Sequence, residues 1–410
     1  MTRKQKEVSS RPEGLNRALA EAVNARYPAA VKLRRALHMH PELAFAEHWT
    51  GETIAVELKR CGCRVQTGVG RTGVVGVLES GDGGPVAAVR SDMDALPVAE
   101  QTGLPFASKI AGVMHACGHD SHMSTVASTA AVMSKLRPYW SGTIKFIFQP
   151  SEEVCPGGAV GMIADGVLKR PDVGAIFGLH VDPWIPVGRI GLRDGAMMAQ
   201  ADDFDLTVFG KSGHGARPHL GHDAVYIAAQ IVSALQSVVS RSTDPLQPAV
   251  VSIGKITGGT ARNIMAGEVA MEGTVRSLDE TEARRLRKHV ERVSSGVARA
   301  LGGRVKLDYL VGYPVLVNHR SINDLYRAAI RDAFGGRSIV ELKEPLMGGE
   351  DFAYYLQKVP GAMMRLGVRN PEIGAVHAWH HPQFTIDEKA MAVGTHVICG
   401  ALLRYLNSTT

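Results

Sequence analysis

The sequence predicts an α/β protein whose main domain has a mixed, largely parallel sheet flanked by helices. Apolar, strand-like runs alternate with stretches that have the apolar spacing of helices, in the order 86–90, 121–135, 143–148, 158–168 and 173–179. This β-α-β-α-β alternation is typical of parallel strands that are covered by helices. Further helical spacing occurs at 29–40, 50–60, 322–334 and 387–406.

A second pattern interrupts the first and predicts an inserted α+β domain at residues 198–309. Its segments follow in the order strand, helix, strand, strand, helix, strand, at 204–209, 224–240, 249–256, 269–277, 280–301 and 305–310. A βαββαβ order is that of a ferredoxin-like module. We therefore expect a main domain of residues 1–197 and 310–410, with the ferredoxin-like domain inserted between its two parts.

Composition excludes several classes of function. The longest apolar stretches fall short of a membrane span, and the charged first residues do not resemble a signal peptide, so we expect a cytoplasmic protein with no membrane partner. The formal net charge is +6, but the basic residues are scattered, and we expect no nucleic-acid partner. The 5 cysteines are an odd number in a long chain, which argues against a disulfide framework.

The segment at 68–73 matches the dinucleotide-binding pattern G-x-G-x-x-G by sequence alone. The residues that follow it, VVGVLES, have the composition of a strand. A dinucleotide site requires the N-terminus of a helix at this point. We therefore predict that this segment binds no nucleotide.

The strongest candidate for chemistry is the segment VMHACGHDSH, where Cys117 and His119 stand two residues apart. In a loop both side chains point to one side, whereas on a helix they would diverge. A thiolate with an imidazole suits zinc and other borderline divalent ions, although two ligands do not complete a site. His115 and His122, in the same segment, could be either site residues or structural residues.

Other potential ligands follow the predicted parallel strands at their carboxyl ends. They are Asp92 and Asp94, then Glu152 and Glu153, then His180. Functional crevices of open α/β sheets lie beyond these strand ends, so we expect the groups to meet there. Glu152 beside Glu153 can supply a general base and a ligand. We interpret Asp92 and Asp94 as residues outside the ligand set, with Asp94 orienting His119 or a neighbour.

The order and content of these motifs resemble the dinuclear metal aminoacylase and carboxypeptidase family, in particular its hippurate hydrolase and auxin-conjugate amidohydrolase branch. The resemblance covers the chain from about residue 36 to its end. The motifs are LHMHPELAFAE, RSDMDALPV, MHACGHDSHM, FQPSEE, GLHVDPWIPVG, GHGARPH, GTVR, GGEDFAYY and HHPQF. Two departures are Gly349, where serine is common, and Asn263-Ile-Met-Ala266, which lacks the usual proline.

The resemblance implies a set of metal ligands, with Cys117 bridging two ions: Cys117, His119, Glu153, His180 and His380. It also makes Glu152 the general base. His380 is chosen over His381 by motif position alone. The resemblance further implies two divalent ions per chain, Mn²⁺ or Zn²⁺, with Co²⁺ or Ni²⁺ as alternatives. Residues 1–197 and 310–410 would then be the catalytic domain.

For the inserted domain the resemblance implies roles in substrate binding and assembly. His214, in a glycine-rich turn, would donate to the oxyanion, and Asn263 with Arg276 would bind the free carboxylate of the substrate. The domain would be a lid that forms a homodimer, or a homotetramer, so that each His214 completes the site of the neighbouring chain.

The expected activity is the metal-dependent hydrolysis of N-acyl amino acids, such as hippurate-like, N-acetyl or indoleacetyl conjugates, to a carboxylic acid and a free amino acid. One alternative is a dipeptidase or aminopeptidase on the same scaffold, which would need a free amino group on its substrate. Another is a non-catalytic binding homologue, which would lack a ligand or the base.

Overall fold

Two units make up the computed structural model, which describes residues 3–81 and 83–408, with side chains from residue 14 onward. The larger unit comprises Met1–Gly195, Val317–Glu344 and Tyr354–Thr410. The smaller unit comprises Ala196–Leu316 and Pro345–Ala353. This smaller unit differs from the expected insertion at 198–309, because it also contains the GGEDF motif near residue 350, which sequence analysis assigned to the main domain.

The described residues form helices and strands that are interspersed along the chain. The helices are α1 Arg3–Met39, α2 His48–Arg60, α3 His119–Lys135, α4 Gly158–Ala164, α5 Ala224–Ser242, α6 Glu280–Ala300, α7 Arg320–Phe334, α8 Ala353–Leu356 and α9 Lys389–Leu406. The strands are β1 Arg64–Val69, β2 Gly73–Ser80, β3 Val86–Asp92, β4 Gly142–Gln149, β5 Ala175–Pro186, β6 Ile190–Leu192, β7 Gly195–Met198, β8 Gln200–Phe209, β9 Gly213–His214, β10 Ala249–Gly258, β11 Ile264–Met265, β12 Glu268–Ser277, β13 Arg304–Tyr313, β14 Leu316–Asn318, β15 Ile339–Glu341 and β16 Gly361–Arg369.

The larger unit is built on an eight-stranded sheet in the order β1-β2-β4-β3-β5-β16-β6-β15. Its centre is parallel, since β3 pairs in parallel with β4 and β5, and β5 with β16, while β1, β2 and the β16–β6 pair add antiparallel neighbours. Phe146, Phe148 and Phe177 in the central strands are 0% exposed. The expected mixed, largely parallel sheet flanked by helices is thus confirmed.

The carboxyl ends of the central strands stand level with one another. Asp92, the last residue of β3, pairs with Gln149, the last residue of β4. The predicted strand at 173–179 continues to Pro186, so His180 lies within β5 rather than after it. The predicted helix at 158–168 ends at Ala164, and Gly166 turns the chain with φ +81°. The segment at 68–73 is a turn between antiparallel β1 and β2, as expected for a chain without a nucleotide loop there.

The smaller unit contains a four-stranded antiparallel sheet in the order β10-β12-β8-β13. Its chain order is β8, α5, β10, β12, α6, β13, the order of strands and helices that the sequence predicts. Helices α5 and α6 bury Ile227, Leu235 and Leu286 in a core with Leu206 and Val208 of β8.

By length and composition alone, α5 is apolar enough to cross a membrane. One side of α5 is already used, because Ile227, Ile231, Leu235 and Val238 are at most 1% exposed in the core of the smaller unit. Packing inside its own unit therefore accounts for the apolar residues on this side of α5.

A buried ionic cluster joins α1 to the first turn of α3. The carboxylate of Asp120 accepts hydrogen bonds from Arg34 Nε and His38 Nδ1, each at 2.8 Å, and the three side chains are at most 2% exposed. Burial raises the pKa of Asp120, but Arg34 and His38 together hold it well below its usual range. The cluster lies next to His119, so it fixes the start of the helix that carries this residue.

We expect Asp120→Asn to destabilise the protein by up to about 3–5 kcal/mol at neutral pH, because Arg34 and His38 would lose the buried carboxylate that binds both and keep only Glu388 and Glu100 as anionic partners. A depressed folded-state pKa contributes stability that is present above the unfolded pKa, about 3.9, and is lost as pH falls below it. The free-energy difference between wild type and variant, measured by urea unfolding, should therefore shrink below about pH 4.

The control is Glu272→Gln, which breaks the exposed ion pair with Lys255 and should leave the unfolding free energy nearly unchanged. A difference between wild type and Asp120→Asn that does not vary with pH would contradict the assignment.

Candidate metal centre

Gly118, the residue between Cys117 and His119, allows both side chains to lie in the same cluster. Gly118 caps the N-terminus of α3 with φ +88°, and a Cβ atom on it would lie 2.6 Å from Cγ2 of Val181. Only glycine adopts this conformation and also fits this space. Cys117 therefore lies in a loop, as expected, whereas His119 is the first residue of α3.

The predicted ligands and the predicted base lie together in the larger unit. Three overlapping groups have potential ligand atoms within 4.8 Å of one another: Cys117, His119 and His180; Cys117, Glu153 and His380; His119, Glu152 and Glu153. Each group shares at least one residue with another. The overlap places five potential ligands and Glu152 around one cluster, which we call the metal centre.

Two imidazoles present the same nitrogen to the metal centre. Nδ1 of His119 donates to the carbonyl of Asp94, and Nδ1 of His180 donates to the carbonyl of Val181, each at 2.8 Å. Because a carbonyl can only accept, Nε2 is the nitrogen that each ring can offer to a metal. Nε2 of His180 lies 3.5 Å from Sγ of Cys117.

The charges around the centre favour a cation. Burial lowers the pKa of His119, but Asp92, Asp94 and Glu153 raise it to about 10. Burial, with Glu153 and Glu152 nearby, raises the pKa of the Cys117 thiol well above its usual range. Nearby carboxylates contribute to both shifts, and a divalent ion would offset their charge.

Among the buried side-chain atoms of the described residues that lack a hydrogen-bond partner, two belong to proposed ligands of this cluster. They are Nε2 of His119 and Oε1 of Glu153. The Glu153 oxygen lies 3.8 Å from Nε2 of His119 and 3.5 Å from Nε2 of His380. Buried polar atoms are seldom left unsatisfied. A set of sulfur, imidazole and carboxylate donors with two such atoms fits a divalent ion of borderline softness.

The structure separates His380 from His381. The chain at His380 has φ +64°, and its N–H donates to the carbonyl of Ala116 at 2.9 Å, which holds it beside the Cys117 loop. The ring of His381 stacks on His377 at 4.5 Å between centroids, and its Nδ1 accepts from the N–H of Gln383. The geometry therefore favours His380 as the ligand.

Asp92 and His122 form a hydrogen-bonded pair next to the metal centre. Oδ1 of Asp92 accepts from Nδ1 of His122 and Oδ2 from Arg90, each at 2.8 Å, and Nε2 of His122 accepts from the N–H of Val181. Burial raises the pKa of Asp92, but His119, His122 and Arg90 hold it well below its usual range. Both nitrogens of His122 are occupied, so this residue, left open by sequence analysis, is a partner of Asp92.

Asp94 holds the segment that carries the two glutamates. Its Oδ1 accepts from the N–H of Glu152 at 2.9 Å, and its Oδ2 accepts from the N–H of Glu153 at 3.0 Å. Its backbone carbonyl binds His119, as described above. Asp94 thus orients His119 through its carbonyl and both glutamates through its carboxylate, which is more than the sequence predicted.

The predicted substrate-binding residues lie in the smaller unit. The N–H of Gly215 donates to the carbonyl of Asn263 at 2.8 Å, so His214 on β9 and Asn263 before β11 are neighbours. Nδ1 of His214 accepts from the N–H of Ala216, which leaves Nε2–H as a donor on an exposed side chain. Arg276 lies on β12 and forms a long ion pair, with its Nη2 4.0 Å from Oδ1 of Asp203.

Substitutions of Glu152 and Glu153 should distinguish the general base from the metal ligand. We expect Glu152→Gln to keep its metal and to lose about 10²–10⁴ in kcat, because the amide cannot accept a proton. Glu153→Gln should lose metal and activity together. Elemental analysis of both variants, with steady-state kinetics, measures this difference, and the reverse pattern would exchange the two roles.

The chain is similar to known proteins over most of its length. Residues 88–404 match the family described as peptidase family M20/M25/M40. The chain is 40% identical over 367 residues to an N-acetylcysteine deacetylase of Bacillus subtilis, which covers 89% of this chain and 93% of the relative. It is 43% identical over 288 residues to an N-acyl-L-amino acid amidohydrolase of Geobacillus stearothermophilus, which covers 70% and 77%.

A solved structure is also similar over most of the chain. The dinuclear metal binding peptidase from the M20 family of Bacillus subtilis has a TM-score of 0.81 and 35% identity, covering 94% of this chain and 100% of that protein. The family match includes the strand ends, the Cys117 loop and the His380 segment that form the metal centre. The chain therefore belongs to peptidase family M20/M25/M40, a family of amide hydrolases with dinuclear metal-binding members.

Proposed function

We propose that this protein hydrolyses the amide bond of N-acyl amino acids, releasing a carboxylic acid and a free amino acid. The observation that carries the proposal is the metal centre itself, where Glu152 is a buried carboxylate grouped with His119 and Glu153. Cys117, His119, Glu153, His180 and His380 would hold two divalent ions, Mn²⁺ or Zn²⁺, with Co²⁺ or Ni²⁺ as alternatives. When bound, such ions supply Lewis acidity to an amide carbonyl and to water.

Glu152 performs the proton transfers in this proposal. Its carboxylate takes a proton from the attacking water and delivers it to the departing nitrogen, so that the amine leaves in neutral form. Asp94 keeps the carboxylate in place through the backbone of Glu152. Nε2–H of His214 donates to the oxyanion, while Asn263 and Arg276 bind the carboxylate of the substrate.

The surroundings of His180 favour an aromatic acyl group, as in hippurate-like or indoleacetyl conjugates. The Trp379 ring packs edge-on against His180 at 5.4 Å and against Trp184 at 4.4 Å between centroids. Trp379 Nε1–H donates to the carbonyl of Val181, and the guanidinium of Arg365 covers its ring at 4.6 Å. Trp184 nevertheless remains 57% exposed. Trp184 therefore offers an apolar surface on which an aromatic group can stack, and only the Trp379 ring separates it from His180, a proposed metal ligand.

The alternatives make different demands on the substrate. A dipeptidase or aminopeptidase would require a free amino group, and a non-catalytic binding homologue would lack a ligand or the base. The larger unit contains all five proposed ligands and Glu152, which supports an enzyme.

The test is a panel of N-benzoyl, N-indoleacetyl and N-acetyl amino acids, assayed with the metal-reconstituted protein by liquid chromatography. We expect all acids to be hydrolysed, and the α-carboxamide analogues to lose about 10–100-fold in kcat/KM, because the charge-assisted pair with Arg276 is lost.

Trp184→Ala should lower kcat/KM several-fold for the aromatic substrates and leave kcat/KM for the N-acetyl substrates nearly unchanged.

Trp49→Ala is the matched control, because Trp49 is also a partly exposed tryptophan and stacks on His40 instead. Hydrolysis confined to substrates with a free amino group would favour the dipeptidase, and no hydrolysis by fully metallated protein would favour the binding homologue. An equal loss for both acyl classes in Trp184→Ala would count against the aromatic surface.

We further propose a homodimer formed through the smaller unit as lid, in which His214 serves the site of the partner chain. If so, a mixture of Glu152→Gln and His214→Ala that has exchanged subunits contains mixed dimers with one intact site. Random pairing makes half the dimers mixed, so roughly a quarter of wild-type activity should return.

Glu152→Gln mixed with Cys117→Ala is the control, since both substitutions lie in the larger unit and no intact site can form. Native mass spectrometry establishes the exchange. Without recovery in the exchanged first mixture, His214 would act within its own chain or outside catalysis.

A further inference from the structure

The segment that carries the two glutamates begins with an unusual backbone. Ser151 has φ +52°, the left-handed region that residues with a Cβ atom seldom adopt. It follows the end of β4 and stands directly before Glu152 and Glu153. Such a conformation persists only when the surrounding structure holds it, so the contacts of Ser151 decide where the two carboxylates point.

A second buried carboxylate makes the decisive contact. Oε1 of Glu47 accepts from the N–H of Ser151 at 2.8 Å, and its Oε2 accepts from the hydroxyl of Thr72 at 2.6 Å. Glu47 is 0% exposed. Together with Asp94, it satisfies the N–H groups of residues 151, 152 and 153 in succession. Three consecutive amides are thus fixed by two side chains from elsewhere in the fold.

The position of Glu47 in its own helix shows that its carboxylate is not needed there. Glu47 is the N-cap residue of α2, yet its side chain makes no cap hydrogen bond. Glu42 does this work, because its carboxylate accepts from the N–H groups of Trp49 and Thr50. A buried carboxylate is costly unless its hydrogen bonds serve it well, and those of Glu47 go to Ser151 and Thr72.

From this geometry we propose that Glu47 is a positioning residue for the metal centre, which holds the left-handed turn at Ser151 so that Glu152 and Glu153 face the same point. Placing the Glu153 carboxylate correctly would increase the affinity for metal. Placing the Glu152 carboxylate correctly would speed proton transfer, and this second part rests on the proposed function. Glu47 itself touches no proposed ligand atom in the described structure.

The test is Glu47→Gln, which keeps the size of the side chain but removes its charge: the amide oxygen accepts from Ser151 without charge assistance, and an amide N–H group faces Thr72. We expect affinity for Zn²⁺, measured by competition with a chelator, to fall about 10–100-fold. The kcat of the metal-saturated variant should fall by a similar factor with KM little changed, because the substrate contacts remain.

Two matched variants separate positioning from simple support. Glu42→Gln changes the carboxylate that caps α2, and Thr72→Val removes only the second partner of Glu47. Both should keep wild-type metal affinity and kcat. If either one matches the loss in Glu47→Gln, the contact with Ser151 is not what matters, and the proposal is overturned.

A double variant tests the link to Glu152. If Glu47 acts on the rate only by placing that carboxylate, Glu47→Gln in a Glu152→Gln background should leave the residual kcat unchanged. A further drop of about 10-fold would show a general structural effect instead and would overturn the link.

The two parts of the proposal fail independently. If the wild type hydrolyses no amide, the proposed function fails, while chelator competition still decides the role of Glu47 in metal binding. Wild-type metal affinity in Glu47→Gln overturns that role. Should Glu47→Gln unfold, Glu47→Asp keeps the charge on a shorter side chain, and loss of fold in both with Glu42→Gln intact would overturn positioning in favour of a purely structural role.

Discussion

The structure of the larger unit depends on a concentration of buried negative charge that faces a single point. Glu152 and Asp92 are buried beside the Cys117 thiol. Burial, with Glu153, Glu152 and Asp92, raises the pKa of Cys117, and Asp92, Asp94 and Glu153 raise the pKa of His119 against the effect of its burial. Such a cluster opposes folding unless a cation offsets it. A divalent ion would therefore contribute to stability as well as to chemistry, since binding to the folded state alone shifts the folding equilibrium.

Several polar groups around this point are held by hydrogen bonds, and some of the buried atoms among them lack a partner. The carboxylate of Asp94 accepts hydrogen bonds from the backbone N–H groups of both glutamates. Glu47 accepts from the N–H of Ser151, and Asp92 accepts from Nδ1 of His122. The described buried atoms that lack partners include His119 Nε2 and Glu153 Oε1, which face the metal centre. A network that holds these carboxylates in place and leaves an imidazole nitrogen and a carboxylate oxygen without partners is suited to a ligand that the protein itself does not supply.

Sequence reasoning reached the parallel central strands of the main sheet and the residues at or near their carboxyl ends, because apolar runs and parallel topology bring these residues to one edge. It could not find Glu47, which contacts Ser151 across 104 residues of chain, or decide on His122, whose role depends on the Val181 amide. Local spacing also missed Gly118 and its turn into α3. In each case the missing information is a tertiary contact, and no periodicity of the chain encodes it.

The departures from the family pattern are distributed unevenly. In the smaller unit, a Cβ atom on Gly349 would lie 2.7 Å from Cβ of Ala201 and 2.9 Å from Cδ2 of Tyr313. The serine common at this position would not fit here without movement of Tyr313 or the backbone. The same Cβ position is 3.6 Å from Arg276, the proposed carboxylate-binding residue. The metal centre keeps its complete donor set. The change at Gly349 therefore alters the surroundings of Arg276, where the amino-acid part of the substrate is proposed to bind, and leaves the chemistry of the metal centre unaffected.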